Sequence, residues 1–175
     1  TIADSGYGVG LLNDCKYGYD IHNSHMRITL MRAPTCPDRT GDHGINTFKY
    51  AFHPHAEDWR YDTVQQAIAF NVPPVAVYNA EAISGKLGGE YGFVTSLDDH
   101  VAIDAIKKAQ DGRGYIIRVV EEEQKRGACN IKLGFDFSKA YECNMIEEDK
   151  AEIPCEDNGF SFTIKPFEVK TFRVI

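Results

Sequence analysis

Apolar and polar residues alternate along most of this chain, and that period of two limits the fold more than any other feature of the sequence. Met26-Arg27-Ile28-Thr29-Leu30 and Phe48-Lys49-Tyr50-Ala51-Phe52 show it in the first half. In the second half Tyr115, Ile117 and Val119 flank Arg118, and Ile131, Leu133 and Phe135 are interleaved with Lys132 and Gly134. Phe160, Phe162 and Ile164 alternate with Ser161, Thr163 and Lys165. Successive side chains of an extended strand point to opposite faces, so each run sets one face in a core and the other in water. Clusters of Gly, Asp and Asn fall between the runs and read as turns: His22-Asn23-Ser24, Asp111-Gly112-Arg113-Gly114 and Glu156-Asp157-Asn158-Gly159. Many short strands joined by turns make a sandwich, so the chain is expected to be mainly β.

One segment follows a different period. Within Asp62 to Phe70, Val64, Ala67 and Ile68 fall at i, i+3 and i+4, which predicts a short helix of about two turns. Asp62 or Thr63 can cap it, with Gln65 or Gln66 three residues on. Pro73-Pro74 ends it, because a proline disfavours helical geometry in the residue before it. So short a helix is marginal alone in water and must pack on a sheet. Ser84-Gly85-Lys86-Leu87-Gly88-Gly89 is small, flexible and poor in apolar residues, as a linker should be. The expected division is therefore residues 1–80, a β-rich unit with the helix, then a linker at 81–89, then a smaller β-sandwich at 90–175.

Composition removes several classes of function. Of 175 residues, 43% are hydrophobic, enough for a core, and no run approaches the roughly 18 apolar residues of a membrane helix. Nineteen Lys and Arg against 26 Asp and Glu give a net charge of −7, and both halves share the acid excess. A phosphate-tracking surface needs a basic face, so neither nucleic acid nor membrane is an expected partner. No charged and apolar leader opens the sequence. The five cysteines (15, 36, 129, 143 and 155) are odd in number and lack a C-x-x-C pair, so free thiols in a reducing cytoplasm are expected.

The residues that could carry chemistry are few. Five of the six histidines precede residue 60, and His53 and His55 on one strand could face a single ion, completed by Asp58 or Glu57. Two histidines without a third ligand at fixed spacing read equally as surface or interface histidines, so a metal site is not expected. Cys15 beside Lys16 could form a thiolate, but no His adjoins it in sequence. Gly6-Tyr7-Gly8-Val9-Gly10 does not match a dinucleotide fingerprint, and its glycines fit close strand packing or a bulge. Glu121-Glu122-Glu123 and Glu147-Glu148-Asp149 read as solvated strand ends, and Asp98-Asp99-His100 as a polar turn with no nucleophile placed near it. Asn13, Asp14, Lys16 and Tyr17 stand apart, because amide, carboxylate, ammonium and aromatic groups follow directly on an apolar strand. Such groups bind sugar hydroxyls or brace a neighbouring loop, and the same spacing also fits a turn held by its own Asn and Asp side chains.

The run Gly8-Val9-Gly10-Leu11-Leu12-Asn13-Asp14-Cys15-Lys16-Tyr17-Gly18-Tyr19-Asp20 resembles a stretch in the C-terminal part of glycoside hydrolase family 38 α-mannosidases. The likeness continues in order through Met26 to Pro34 with Pro37-Asp38, through Thr47 to Phe52 with Pro54-His55 and Asp58-Trp59, and closes with Lys165 to Arg173. The resemblance implies the C-terminal portion of a large mutarotase-like β-sandwich followed by a small antiparallel one. It also implies a parent enzyme that hydrolyses α-linked mannose with retention, using an Asp nucleophile and a zinc ion. Those groups belong to an N-terminal barrel whose motifs are absent here, so no catalytic or metal residue carries over, and the chain alone is expected to be inactive. The expected partners are the catalytic and helical domains of the same protein and, through them, an α-mannoside. Asn13, Asp14, Lys16 and Tyr17 become candidates for the active-site rim or a domain interface. If upstream strands are missing, Tyr7 to Leu12 and Met26 to Leu30 carry an uncovered apolar surface prone to self-association. The alternative is a stand-alone carbohydrate-binding module that uses Trp59 or Tyr91 as stacking platforms.

Overall fold

The computed structural model describes residues 2–4 (backbone), 6–78 and 85–175, in two units: residues 1–80 and 81–175. The regular structure of the described part is antiparallel β apart from one short helix. No helix among the described residues is long and apolar enough to cross a membrane. Of the linker expected at 81–89, residues 81–84 lie outside the described residues, and 85–89 are exposed and irregular.

In the first unit β1 (Ile2–Asp4) pairs with β2 (Tyr7–Asn13), and β3 (Tyr19–His22) forms a hairpin with β4 (His25–Ile28). β5 (Tyr50–Ala56) then pairs with β2, giving a sheet of order β1-β2-β5. Two strands begin or end off their expected places. β4 stops at Ile28, short of the expected Leu30, although the Thr29 N–H still donates to the Gly18 carbonyl at 2.7 Å. β5 runs on through Pro54, which a strand tolerates only where no ladder N–H is needed, as at an edge. Helix α1 (Thr63–Asn71) forms where the spacing predicts it, but the capping box does not. Asp62 occupies the cap position without a side-chain cap bond, and its carboxylate instead meets His53 Nε2 at 2.8 Å. At the other end Asn71 Nδ2 donates to the Asn13 carbonyl at 3.2 Å, so the helix is fastened to the sheet at both ends.

The second unit is the sandwich. Its strands are β6 (Val94–Ser96), β7 (Val101–Lys108), β8 (Tyr115–Glu121), β9 (Gly127–Leu133), β10 (Ala140–Cys143), β11 (Asp149–Ile153), β12 (Cys155–Glu156), β13 (Gly159–Ile164) and β14 (Val169–Val174). They make a five-stranded sheet, β11-β10-β14-β8-β7, facing a four-stranded one, β12-β13-β9-β6. Ile117, Val119, Phe172 and Val174 from the first sheet meet Ile131, Leu133, Phe160, Phe162 and Ile164 from the second. Phe172 stands 4.9 Å from Phe160 and 4.7 Å from Phe162, ring centre to ring centre, and sews the layers together. The edge strand β7 carries a bulge between Ile103 and Ala105, together with Asp104, Lys107 and Lys108, which discourages edge-to-edge pairing.

Simple alternation fails at the middle of the five-stranded sheet. Ile116, Thr171 and Arg173 point away from the core yet are buried, Arg173 being 1% exposed. The loop around Glu147 roofs that face: Arg173 donates to the Glu147 carbonyl at 2.6 Å, to Asp149 at 2.7 Å, to Asp111 at 2.8 Å and to the Arg113 carbonyl at 2.9 Å. The run Glu147-Glu148-Asp149 is therefore not simply solvated, since Glu147 also pairs with Lys107 and accepts the Gln110 N–H at 2.7 Å. Glu121-Glu122-Glu123 departs further from expectation. Glu121 is 0% exposed and accepts N–H groups from Glu123, Gln124, Lys125 and Phe167 at 2.8–3.0 Å. Burial by itself would raise its pKa, but the four donors outweigh burial and hold it below the ordinary value. Like charges do not repel Glu121 into water here, because turn backbone supplies the solvation instead.

Candidate functional site

The groups singled out in the first unit are placed by the end of β2. Asn13 Oδ1 accepts the Lys16 N–H at 2.7 Å, closing a three-residue turn on its own side chain. Asp14 donates its N–H to the Lys49 carbonyl at 3.2 Å. The Lys49 backbone N–H and the Cys15 thiol hold the Asp14 carboxyl below its ordinary range, while its Oδ1 atom is buried without a hydrogen-bond partner. Asp14 in turn pushes the Cys15 thiol up, an effect larger than the opposing pull of Lys16, so Cys15 is not an activated nucleophile. Lys16 Nζ sits 5.0 Å from the centre of the Phe48 ring, within cation–π range. Tyr17 is 89% exposed.

Behind this turn lies an open groove of about 520 Å³ in which Lys16, Thr29, Arg32, Asp42 and Asn46 supply the polar lining. The segment that forms its far wall is held by local caps rather than by a core. Asp42 accepts the Ala33 N–H at 2.9 Å, Asn46 Nδ2 donates to the Asp42 carbonyl at 3.0 Å, and Asp38 accepts both the N–H and the hydroxyl of Thr40 at 2.8 Å. Thr29, Arg32, Asp42 and Asn46 were not legible as a set, because the hairpin and the loop bring them to Lys16 from separate stretches. Amide, ammonium, guanidinium and hydroxyl groups around one opening can donate to and accept from a polyol or a loop backbone. They do not assemble a nucleophile with a base.

The other candidates are placed elsewhere. His53 and His55 do share a face of β5, their rings stacked 5.7 Å apart. His53 is engaged by Asp62, and Asp58 is turned to the Arg60 N–H at 2.8 Å and its guanidinium at 2.7 Å. No group of three or more His, Cys, Asp or Glu among the described residues is arranged to hold a metal ion. His55 is buried flat over Gly8, leaving no room there for a β-carbon, which is the close packing expected of that glycine-rich strand. Asp98-Asp99-His100 does have a thiol beside it: Cys129 Sγ lies 3.6 Å from His100 Nε2. Burial, with Asp98 and Glu121 nearby, pushes that thiol up, and Cys129 is only 1% exposed, so the pair has no nucleophilic role. All five cysteines are free. Of the two stacking candidates, the Trp59 ring is covered by the Arg60 guanidinium at 4.9 Å, and Tyr91 meets Phe93 edge to face at 5.0 Å.

Comparison with known proteins identifies the family. Residues 1–40 match the model of the glycosyl hydrolases family 38 C-terminal domain, and residues 100–172 that of the family 38 C-terminal beta sandwich domain. Alpha-mannosidase G of Dictyostelium discoideum is 29% identical over 178 residues, covering 99% of this chain and 16% of that protein. Human Alpha-mannosidase 2C1 is 27% identical over 180 residues (99% and 17%), and the Alpha-mannosidase of Saccharomyces cerevisiae is 27% identical over 186 residues (95% and 17%). The chain thus spans 16–17% of the length of these curated relatives. With two models of one family matched in order along an antiparallel β framework, this chain belongs to the C-terminal β region of glycosyl hydrolase family 38.

Proposed function

We propose that the chain is the non-catalytic C-terminal β region of an α-mannosidase, bracing the domains that carry the reaction. The observation that carries this reading is the ordered match of its two units to C-terminal models alone, alongside alpha-mannosidases about six times longer. The zinc ion that the family resemblance implies does not fit this chain, since no three donor groups converge among the described residues. Zinc, the reactive carboxylates and the bound α-mannoside therefore belong to other polypeptide of the parent, working in the cytoplasm. Asn13 and Asp14 set the turn, and Lys16 and Tyr17 extend from it to the rim of the active site or to a neighbouring domain.

Three measurements test this. The 175-residue chain alone should not hydrolyse a nitrophenyl α-mannoside, and calorimetry with mannose oligosaccharides should show no binding. In a full-length family 38 protein ending in this chain, Lys16→Ala should lower kcat/KM by roughly tenfold, the loss of about one charge-assisted hydrogen bond, with the melting temperature unchanged. Turnover by the isolated chain would refute the non-catalytic reading. An unaltered kcat/KM would remove Lys16 from the rim.

A further inference from the structure

The hairpin of β3 and β4 stands apart from the other sheets. It has two strands and no third, and all four residues of β3 are exposed. A two-stranded ribbon is marginally stable by itself in water. Arg27 and Asp20 add an ion pair at 3.1 Å, but their side chains are 71% and 54% exposed, and an exposed pair contributes little. At the tip, His22 pairs directly with His25 across the turn of Asn23 and Ser24, and Asp20 pairs with Arg27 one step behind. Asn23 takes the left-handed φ of +52° that a two-residue hairpin turn needs, so the turn itself sets this pairing.

Directly paired residues share a face, with Cβ atoms about 4.5–5.5 Å apart. Residues two apart on a strand also share a face, so Asp20, His22, His25 and Arg27 stand on one side of the ribbon, opposite Tyr19, Ile21, Met26 and Ile28. Both histidines are exposed, and neither is held by a carboxylate among the described residues as His53 is by Asp62. Two imidazoles so placed are a chelating pair. On a tetrahedral ion with metal–nitrogen bonds of about 2.0–2.1 Å, two ligand nitrogens lie roughly 3.4 Å apart, which side chains rooted about 5 Å apart reach by leaning together. Asp20 is the third donor of the face. As the ribbon stands its carboxylate is turned to Arg27, so three donors do not converge. A doubly charged ion competes for that carboxylate against one exposed guanidinium, and an exposed pair costs little to part.

We propose that the tip of this hairpin binds a divalent transition metal of the zinc type, held by His22, His25 and, once Arg27 releases it, Asp20, with water completing the shell. Imidazole favours such ions over Mg²⁺ and Ca²⁺, which take oxygen ligands. The zinc implied for the parent's reaction plays no part in this site, and the proposal does not depend on the C-terminal reading. Its consequence is mechanical. A clip across the tip binds the closed ribbon and not the open one, so the strands part less often by a factor of one plus the ratio of free metal to Kd. Gly18 and Thr29, joined at the foot of the ribbon by a 2.7 Å hydrogen bond, line the groove beside Lys16, so the clip steadies one wall of that groove.

Titration of the 175-residue chain with Zn²⁺ tests this, with Cys15→Ser and Cys36→Ser introduced so that the two exposed thiols do not compete for the metal. Followed by NMR, the ring resonances of His22 and His25 should shift together and saturate with one ion, while those of His43, also exposed, stay in place. By calorimetry, His22→Ala and His25→Ala should each weaken binding by at least the roughly 10–100-fold that loss of an outer-shell partner costs a metal site. Asp20→Asn should weaken it as well, and Arg27→Ala should tighten it, because the carboxylate is then free. Mg²⁺ should not displace the zinc. With free Zn²⁺ at ten times Kd, amide exchange in residues 19–28 should slow roughly tenfold, and exchange in the second unit should not change. A shift of one histidine without the other, or affinity unaltered in His22→Ala or His25→Ala, would overturn the site. Affinity unaltered in both Asp20→Asn and Arg27→Ala would overturn the three-donor arrangement. The NMR titration keeps all four face residues, so it decides the pairing of His22 with His25 whether or not a variant folds.

Discussion

Glu121→Gln should destabilise the second unit out of proportion to the single atom it changes. The carboxylate is wholly buried, and each of its oxygens serves two backbone donors: Oε1 takes the N–H groups of Glu123 and Lys125, and Oε2 those of Gln124 and Phe167. Glutamine keeps one acceptor oxygen, so two of the four donors would face an amide NH₂ instead. Hydrogen bonds to a charged group are worth about 1.5–3 kcal/mol each, so the loss is roughly 3–6 kcal/mol. Burying an amide rather than a carboxylate returns roughly 1–2 kcal/mol. The net is about 2–4 kcal/mol, a large share of the roughly 5–15 kcal/mol that holds a domain folded. For a unit of this size that corresponds to a melting temperature lower by roughly 10–25 °C. Far-UV circular dichroism would give the melt, and amide hydrogen exchange at Glu123, Gln124, Lys125 and Phe167 would locate the loosening. Glu156→Gln, at an exposed strand, serves as the control. The pH dependence has a definite sign. Because the folded pKa lies below the ordinary 4.5, the stabilisation is complete above that value and is lost as pH falls through the folded one. A variant melting within about 3 °C of the parent, with its four amides still protected, would show that the nest does not depend on charge.

Other substitutions probe the roof and a tight turn. Arg173→Ala would leave two backbone carbonyls without their donor and Asp149 and Asp111 with Arg113 as their remaining cationic partner, and should cost about 2–4 kcal/mol, read as a lower urea midpoint. Arg173→Lys should recover only part of this, because an ammonium cannot span the same fork of acceptors. Gly114→Ala should cost at least about 1–3 kcal/mol in the same assay, since Gly114 sits at φ +76° and a β-carbon there would fall on the Val174 carbonyl oxygen.

Much of the second unit could be read directly. Ile131, Leu133, Phe160, Phe162 and Ile164 alternate with polar residues and occupy the core, because one face of that sheet packs and the other meets water. The helix was legible for a similar reason, its period being local. Its cap was not: Asp62 finds His53, nine residues away, and no local rule weighs that partner against the helix N–H groups. The acidic runs misled in the same manner. Glu121, Glu147 and Asp149 sit in sequences that look solvated, and become bound only when β14 and its neighbouring turns close over them.

The candidate site divides along the same line. Asn13, Asp14, Lys16 and Tyr17 stand within five residues, so their proximity was certain from the chain, whereas a turn held by its own side chains was one of two readings of that spacing, and the Asn13-to-Lys16 bond realises it. The groove they border depends on Thr29, Arg32, Asp42 and Asn46, which nothing in a linear reading joins to Lys16. By itself the sequence determined that the chain would be mainly strand, where its most regular apolar alternation lay, and which family pattern it resembles, because all three rest on short-range order. Only the tertiary structure decided which apolar faces found a partner. The second unit closes its sheets on each other, whereas the Tyr7–Phe52 face of the first stays open, since burial is a property of two surfaces and one strand can specify only its own.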